Sequence, residues 1–334
     1  MINMVSPTLK RLLRDLLWGG LAAALALFGT TGLLSLFASR PAVLNVSYDP
    51  TRELWAELND AFARQSSETV NVRMSHGGSS SQARAIIDGL PADVATLALW
   101  SDIDALRERG MIAEGWESRF PPPWSSTIVF VVRAGNRKNI RDWPDLIRDK
   151  VTVITPNPKT SGNGRLSFLA AWGAIQTTTG SEEQARDFVR ELYRHVPVLD
   201  TGARGSTLTF AQKKIGDVQL TWENEAYQQL AEAPGAFEIV YPSRSIRAEP
   251  PVAIVDRVVD RKGTRRVAEA YLRFLSTDAG QEIIGRHHFR TTNPKFATIH
   301  HEIDCFAITD IEPRGWPGVQ DRFFGENGEF DRMR

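Results

Sequence analysis

Three short segments of this 334-residue chain place small and hydroxylated residues where an anion could be held. They read SHGGSSSQAR at 75–84, NPKTSGNGR at 157–165 and TGARGST at 201–207. Each follows an apolar run of strand character and leads into helical spacing. The first backbone N–H groups of a helix lack intrahelical partners and sit at the positive end of its dipole. Glycine lets such a turn approach a ligand closely, and a hydroxyl adds one more donor. Together these make an anion site. Any single loop is explained as well by ordinary capping: Ser79-x-x-Gln82 fits a capping box, and Thr160 or Ser161 suits the start of the next helix. Recurrence in three successive units brings the anion reading level with capping.

Other chemistries fit less well. No Gly-Lys-Ser/Thr occurs, so there is no Walker loop, and SGNGRL is not G-x-G-x-x-G. A serine hydrolase would use Ser79 or Ser161 as nucleophile, yet GGSSS lacks the closing glycine of G-x-S-x-G. The histidines, at 76, 195, 287, 288, 300 and 301, show no role-specific spacing. Two histidine pairs near Cys305 raise a metal site, but neighbouring helical residues point in different directions, and neither H-E-x-x-H nor C-x-x-C is present. No metal and no cofactor is expected, and a binding protein is expected rather than an enzyme. Asp49 reads as a helix N-cap. Arg165 and Arg204 read as partners of carboxylates that stiffen two of the loops, and most tryptophans read as packing residues.

These loops need elements to hold them. Strands are expected at 43–48, 70–75, 92–99, 127–133, 151–156 and 196–200, within 217–226, and in FEIVYP and VAIVDRVV. Helices are expected after 49, at 80–88, 101–110, 165–175, 182–195, 267–275 and 280–287. This alternation predicts mainly parallel sheets covered on both faces by helices. The number of units suits two sheets. One domain would join 41–125 to 250–334, and 126–249 would be inserted into it. Ligands in such folds sit beyond the carboxyl ends of strands, here in the cleft between domains.

The forty basic and forty acidic residues cancel, which argues against a nucleic-acid surface. The single cysteine, Cys305, forms no intramolecular disulfide. Lys10, Arg11 and Arg14 precede an uncharged apolar run at 16–39. That is an export pattern, and the run is also long enough for a span of roughly 20 residues. A clean small-x-small cleavage site is missing, so residues 1–40 are read as a signal peptide or an N-terminal anchor, with cleavage favoured. Either way, the bulk of the chain is expected in the periplasm, with membrane contact only through 16–39.

Longer stretches then become recognisable. LNVSYDPTREL, SHGGSSSQA, ADVATLAL, STIVFVVR, VITPNPKTSGNGR, LAAWG, LDTGARGST, TWENEA and FEIVYPS occur in that order over about 44–290. Together they resemble the periplasmic sulfate-binding proteins, the substrate-binding subunits of the sulfate/thiosulfate ABC importer. The tail from 296 matches more loosely. The resemblance implies an α/β, type II periplasmic-binding-protein fold, with two doubly wound domains closing on a dehydrated anion. It implies backbone N–H donors at Ser79, Gly162, Asn163 and Ala203, the hydroxyl of Ser161 and the indole N–H of Trp222. Asn163 departs from the family's serine-glycine-glycine, which puts that contact in question if the loop needs a conformation restricted to glycine. The implied ligand is sulfate, with thiosulfate second and molybdate, tungstate or phosphate as other tetrahedral options. The implied partners are the permease subunits of an ABC transporter, with the binding protein itself a monomer and no nucleic acid involved.

Overall fold

A computed structural model describes residues 42–66, 70–299 and 301–333. The expected leader or anchor at 1–40 lies outside the described residues. Among those described, no helix is long and apolar enough to cross a membrane.

The chain opens with β1 (Ala42–Tyr48), a 3-10 turn (Asp49–Thr51), α1 (Arg52–Gln65), β2 (Asn71–Gly77), α2 (Ser79–Ile87), β3 (Val94–Thr96) and α3 (Trp100–Glu108). It continues through β4 (Trp124–Ser125), β5 (Ile128–Arg133), β6 (Val153–Ile154), α4 (Gly162–Thr179), α5 (Glu182–Arg194), the short α6 (Ala203–Thr207) and β7 (Val218–Trp222). Then follow α7 (Glu223–Glu232), β8 (Phe237–Val240), β9 (Arg244–Ile246), β10 (Val252–Ile254), α8 (Asp256–Lys262), α9 (Arg265–Phe274), α10 (Asp278–Arg286), β11 (Arg290–Thr291) and β12 (Asp304–Phe306).

The first four-stranded sheet has the order β10-β3-β1-β2. β1 runs parallel to β2 and β3, while β10 returns antiparallel to β3. Val43 and Val46 of β1 are fully buried. α1 covers the sheet with Leu54, Trp55, Leu58, Ala61 and Phe62, the apolar stripe of an amphipathic helix. Trp55 and Phe62 pack on Tyr271 of α9, with ring centroids 5.4 and 5.2 Å away.

The second sheet has the order β6-β7-β5-β8 and is less parallel than the alternation predicts. Only β6 and β7 run parallel, because β5 enters from the first lobe and lies antiparallel to both β7 and β8. The chain passes between the lobes side by side, where Ser126 pairs with Ala248 and the Thr127 hydroxyl donates to the Ile246 carbonyl at 2.8 Å. Residues 42–334 nevertheless pack as one unit.

Two expected strands fail in part or in whole: VAIVDRVV is strand only over Val252–Ile254, and its second half opens α8 at Asp256. VPVLD forms no strand: single bonds from Val153 N to His195 O and from Asn157 N to Asp200 O hold it beside β6. Pro197 has no N–H to give to a ladder. The tail past 303 packs largely against residues 126–249. β12 pairs with β9, and Phe323, Phe324 and Phe330 close around Phe168 of α4 with centroids 5.5–6.0 Å apart. Arg186 of α5 clamps Glu329 through two bonds of 2.9 and 2.8 Å. Gly173 admits the Phe306 ring so closely that a Cβ would stand 2.2 Å from it.

This tail is therefore part of the core. Phe323→Ala should lower the unfolding free energy by about 3–5 kcal/mol, read as a reduced urea midpoint with unchanged slope. A midpoint equal to that of the parent protein would show the tail to be dispensable.

Candidate functional site

The strand ends of both lobes meet at one small cavity. Tyr48, Asp49, Pro50, Gly77, Gly78, Ser79, Ala98, Ser161, Gly162, Asn163, Ala203 and Trp222 line it. Every residue that the resemblance implies as a donor is in that lining. The volume open to the centre of a water-sized sphere is about 10 Å³, near the minimum that holds one water. A cavity of that size has no room for a sugar or nucleotide.

Three helices begin at the cavity. α2 opens at Ser79 with Gly78 as N-cap, α4 at Gly162 with Ser161 as N-cap, and α6 at Ala203 with Gly202 as N-cap. The first intrahelical bonds run from Gln82 N to Gly78 O, Arg165 N to Ser161 O and Ser206 N to Gly202 O. The preceding N–H groups therefore occupy the positions without helical partners. Asp49 adds a fourth such position at the start of its 3-10 turn, one residue inside the N-cap role expected for it, which Tyr48 takes. On sequence alone, Asp49 is set aside as a cap rather than a site residue, because its Asp-Pro pair signals a helix start. Its carboxylate is engaged by Arg52 at 2.9 Å.

The serines divide their work. Ser79 Oγ donates to Asp102 at 2.5 Å and accepts from Ala98 N at 2.9 Å. Its hydroxyl hydrogen is spent on the protein, and its backbone N–H is what it can offer a ligand. This also undoes the expected capping box, because Gln82 instead accepts from Ser75 Oγ. Ser161 caps α4 by accepting from Gly164 N at 3.3 Å, which leaves its hydroxyl hydrogen available. Trp222 ends β7 fully buried, tilted against Tyr48 with centroids 5.5 Å apart, and its Nε1 has no partner. An orphaned buried donor is costly and rare. Beside this cavity it marks a place for an acceptor.

Glycine is required where the lobes touch. A Cβ on Gly78 would stand 2.4 Å from Thr160 O and 3.0 Å from Thr201 O, and one on Gly162 would stand 2.4 Å from Ala98 Cβ. Both contacts cross from one lobe to the other.

Charges surround the cavity without lining it, Asp49 excepted. Arg204 of α6 reaches Glu53 of α1 at 2.5 Å and Glu225 of α7 at 3.2 Å. Arg165 donates to Pro158 O, Gln320 and Ser101, and stands 3.9 Å from Asp102. Burial lowers the Arg165 pKa, and Asp102 opposes that shift. His76 is pushed down to about 4 by burial and by Arg52, so it is neutral at pH 7. His287 pairs with Glu57 and His288 stacks on Tyr227, both outside the lining. Among the described residues no cluster suits a metal ion.

Glu225 is fully buried, and desolvation pushes its carboxyl up to about 7, with Arg204 pulling the other way. The folded protein thus keeps a proton that the unfolded chain releases nearer 4.5. With more protons bound in the native state, stability falls as pH rises through that window. Glu225→Gln should flatten this dependence in urea unfolding at about pH 5 and pH 8; an unchanged slope would place the titration elsewhere. Ser79→Ala leaves Ala98 N and one Asp102 oxygen without their partner, and should cost about 1–3 kcal/mol in the same assay. No loss of stability would mean that neither bond matters.

Comparison with known proteins agrees with this geometry. The family model described as bacterial extracellular solute-binding protein matches residues 44–290. A thiosulfate-binding protein of Pseudomonas aeruginosa is 47% identical over 326 residues, spanning 94% of this chain and 96% of its own. A sulfate-binding protein of Escherichia coli K12 is 48% identical over 321 residues, spanning 91% and 97%. Among solved structures, the sulfate-binding protein SubI from Mycobacterium tuberculosis H37Rv superposes with a TM-score of 0.77 at 30% identity, covering 86% of this chain and 100% of that one. The α/β periplasmic-binding-protein fold expected from the sequence is the fold present. The chain belongs to the bacterial extracellular solute-binding proteins, within the group of sulfate- and thiosulfate-binding relatives.

Proposed function

We propose that this protein captures sulfate, with thiosulfate as second ligand, outside the cytoplasmic membrane and delivers it to an ABC permease. The observation that carries this reading is the unpartnered indole N–H of Trp222 in a small cavity bordered by three helix starts. The proposed ligands are the N–H groups of Ser79, Gly162, Asn163 and Ala203, the Ser161 hydroxyl and the Trp222 indole. The N–H of Asp49 joins them.

Burying a bare dianion is prohibitive unless its hydration is replaced. Hydrogen bonds to a charged group contribute about 1.5–3 kcal/mol each, so several convergent donors can substitute for water. Trp brings a donor and no acceptor to repel a sulfate oxygen. An all-donor set also discriminates: sulfate is fully ionised near pH 7, whereas phosphate usually keeps a proton that would face a donor. The hydrolase alternative is weak, because the Ser79 hydroxyl bonds Asp102 and Ala98 N rather than a histidine. The protein acts as a monomer in this reading. Residues 16–39, where retained, would keep it near the permease. Binding closes the lobes about the crossing at 126 and 248 by a hinge motion.

Trp222→Phe and Ser161→Ala should each weaken sulfate binding by about tenfold or more in calorimetric titration, since each removes a donor to a buried charge. Phosphate should bind far more weakly than sulfate at pH 7. Equal affinities for the two anions, or full affinity in both variants, would overturn the reading.

A further inference from the structure

Resting on the reading above, we propose that the side chain of Asn163, and not only its backbone, is a ligand of the anion, with Nδ2 as a further donor. Among the residues that line the cavity, two carry a buried side-chain polar atom without a partner. They are Trp222, through Nε1, and Asn163, through Nδ2. Both atoms are donors, and both residues are almost fully buried, at 0% and 2% exposure. A carboxamide that packs for its own sake would find partners for its NH2 group, as buried amides generally do.

The other end of the amide is accounted for. Ser167, one helical turn along α4, donates its hydroxyl to Asn163 Oδ1 at 3.1 Å. In that arrangement the NH2 end is the one left over. With the oxygen held by Ser167, the NH2 group with its two hydrogens remains unspent. Turned the other way, the amide would present a carbonyl oxygen to an anion and repel it. Ser167 is thus a positioning residue and Asn163 a ligand.

The consequence concerns selectivity. A glycine here would offer one backbone N–H. Asn163 offers that N–H from the first turn of α4 and adds an uncharged donor from the side chain. A cage with one more donor binds an anion with every oxygen free to accept. It binds less well any anion that keeps a proton on one oxygen. The ligand class selected is the fully ionised tetrahedral dianion.

The test titrates sulfate and thiosulfate calorimetrically into the parent protein and into Asn163→Gly, Asn163→Asp and Ser167→Ala. Asn163→Gly keeps the backbone donor and should weaken sulfate binding by about tenfold, with the sulfate-to-phosphate ratio falling. Asn163→Asp places a carboxylate against the anion and should lose about a hundredfold or more at pH 7. That loss should recover as pH falls, because burial and the neighbouring anion both raise the introduced carboxyl's pKa and so favour its neutral form. Ser167→Ala should give a smaller loss, because the amide is freed rather than removed. Sulfate affinity of Asn163→Gly within about twofold of the parent, or an Asn163→Asp loss that ignores pH, would overturn the proposal and leave the sulfate reading standing. A parent protein that binds neither anion would overturn the sulfate reading itself.

Discussion

A doubly charged anion held away from water must have its hydration shell replaced by groups that cannot move aside. That requirement explains why the cavity is bordered by helix starts rather than by long cationic side chains. A backbone N–H at the head of a helix is fixed by the whole element behind it, and its dipole is already oriented. α2, α4 and α6 are carried by strands or by segments bonded to strands, so the donors inherit the rigidity of two sheets. Lysine or arginine heads would add charge but also conformational freedom. Here Arg165 and Arg204 are instead bound to carbonyls, amides and carboxylates around the loops.

Stiffening of the donors extends well beyond the lining. Ser79 is locked from two sides, by Asp102 and by Ala98 N, so the residue that opens α2 is tied to α3 and to the end of the β3 segment. α4 is braced from behind by the C-terminal tail, whose phenylalanines surround Phe168 and Trp172. The tail therefore supports the helix that carries Ser161, Gly162 and Asn163, although it lies outside the lining itself. Its packing has the character of a core, with edge-to-face rings that combine area burial with preferred geometry.

Much of this was legible in the sequence, and for identifiable reasons. The glycine and hydroxyl loops announce themselves because few residue types tolerate a close backbone approach, and helix starts have few chemical solutions. α5 follows from its apolar periodicity, with Ala185, Phe188, Val189 and Leu192 on one buried face. The Ser79 hydroxyl bond was hidden, because Asp102 lies 23 positions away and only the fold brings them together. The place of the tail was hidden for the same reason: an apolar, aromatic segment shows that it must be buried, but not against which lobe. VPVLD misled because apolar composition fits a strand while Pro197 withholds a donor that a ladder needs. Asp49 was read as a cap because an Asp-Pro pair reports local backbone, not distance to a cavity.

The close approach of Gly78 to Thr160 and Thr201, and of Gly162 to Ala98, has a kinetic side. Loops in such contact leave little room between them beside the cavity. If the lobes close over a bound ion as proposed, residence time would be set by their opening at the paired segments near Ser126 and Ala248 rather than by rupture of any one hydrogen bond. A partner that parted the lobes would then control the moment of delivery without touching a single donor.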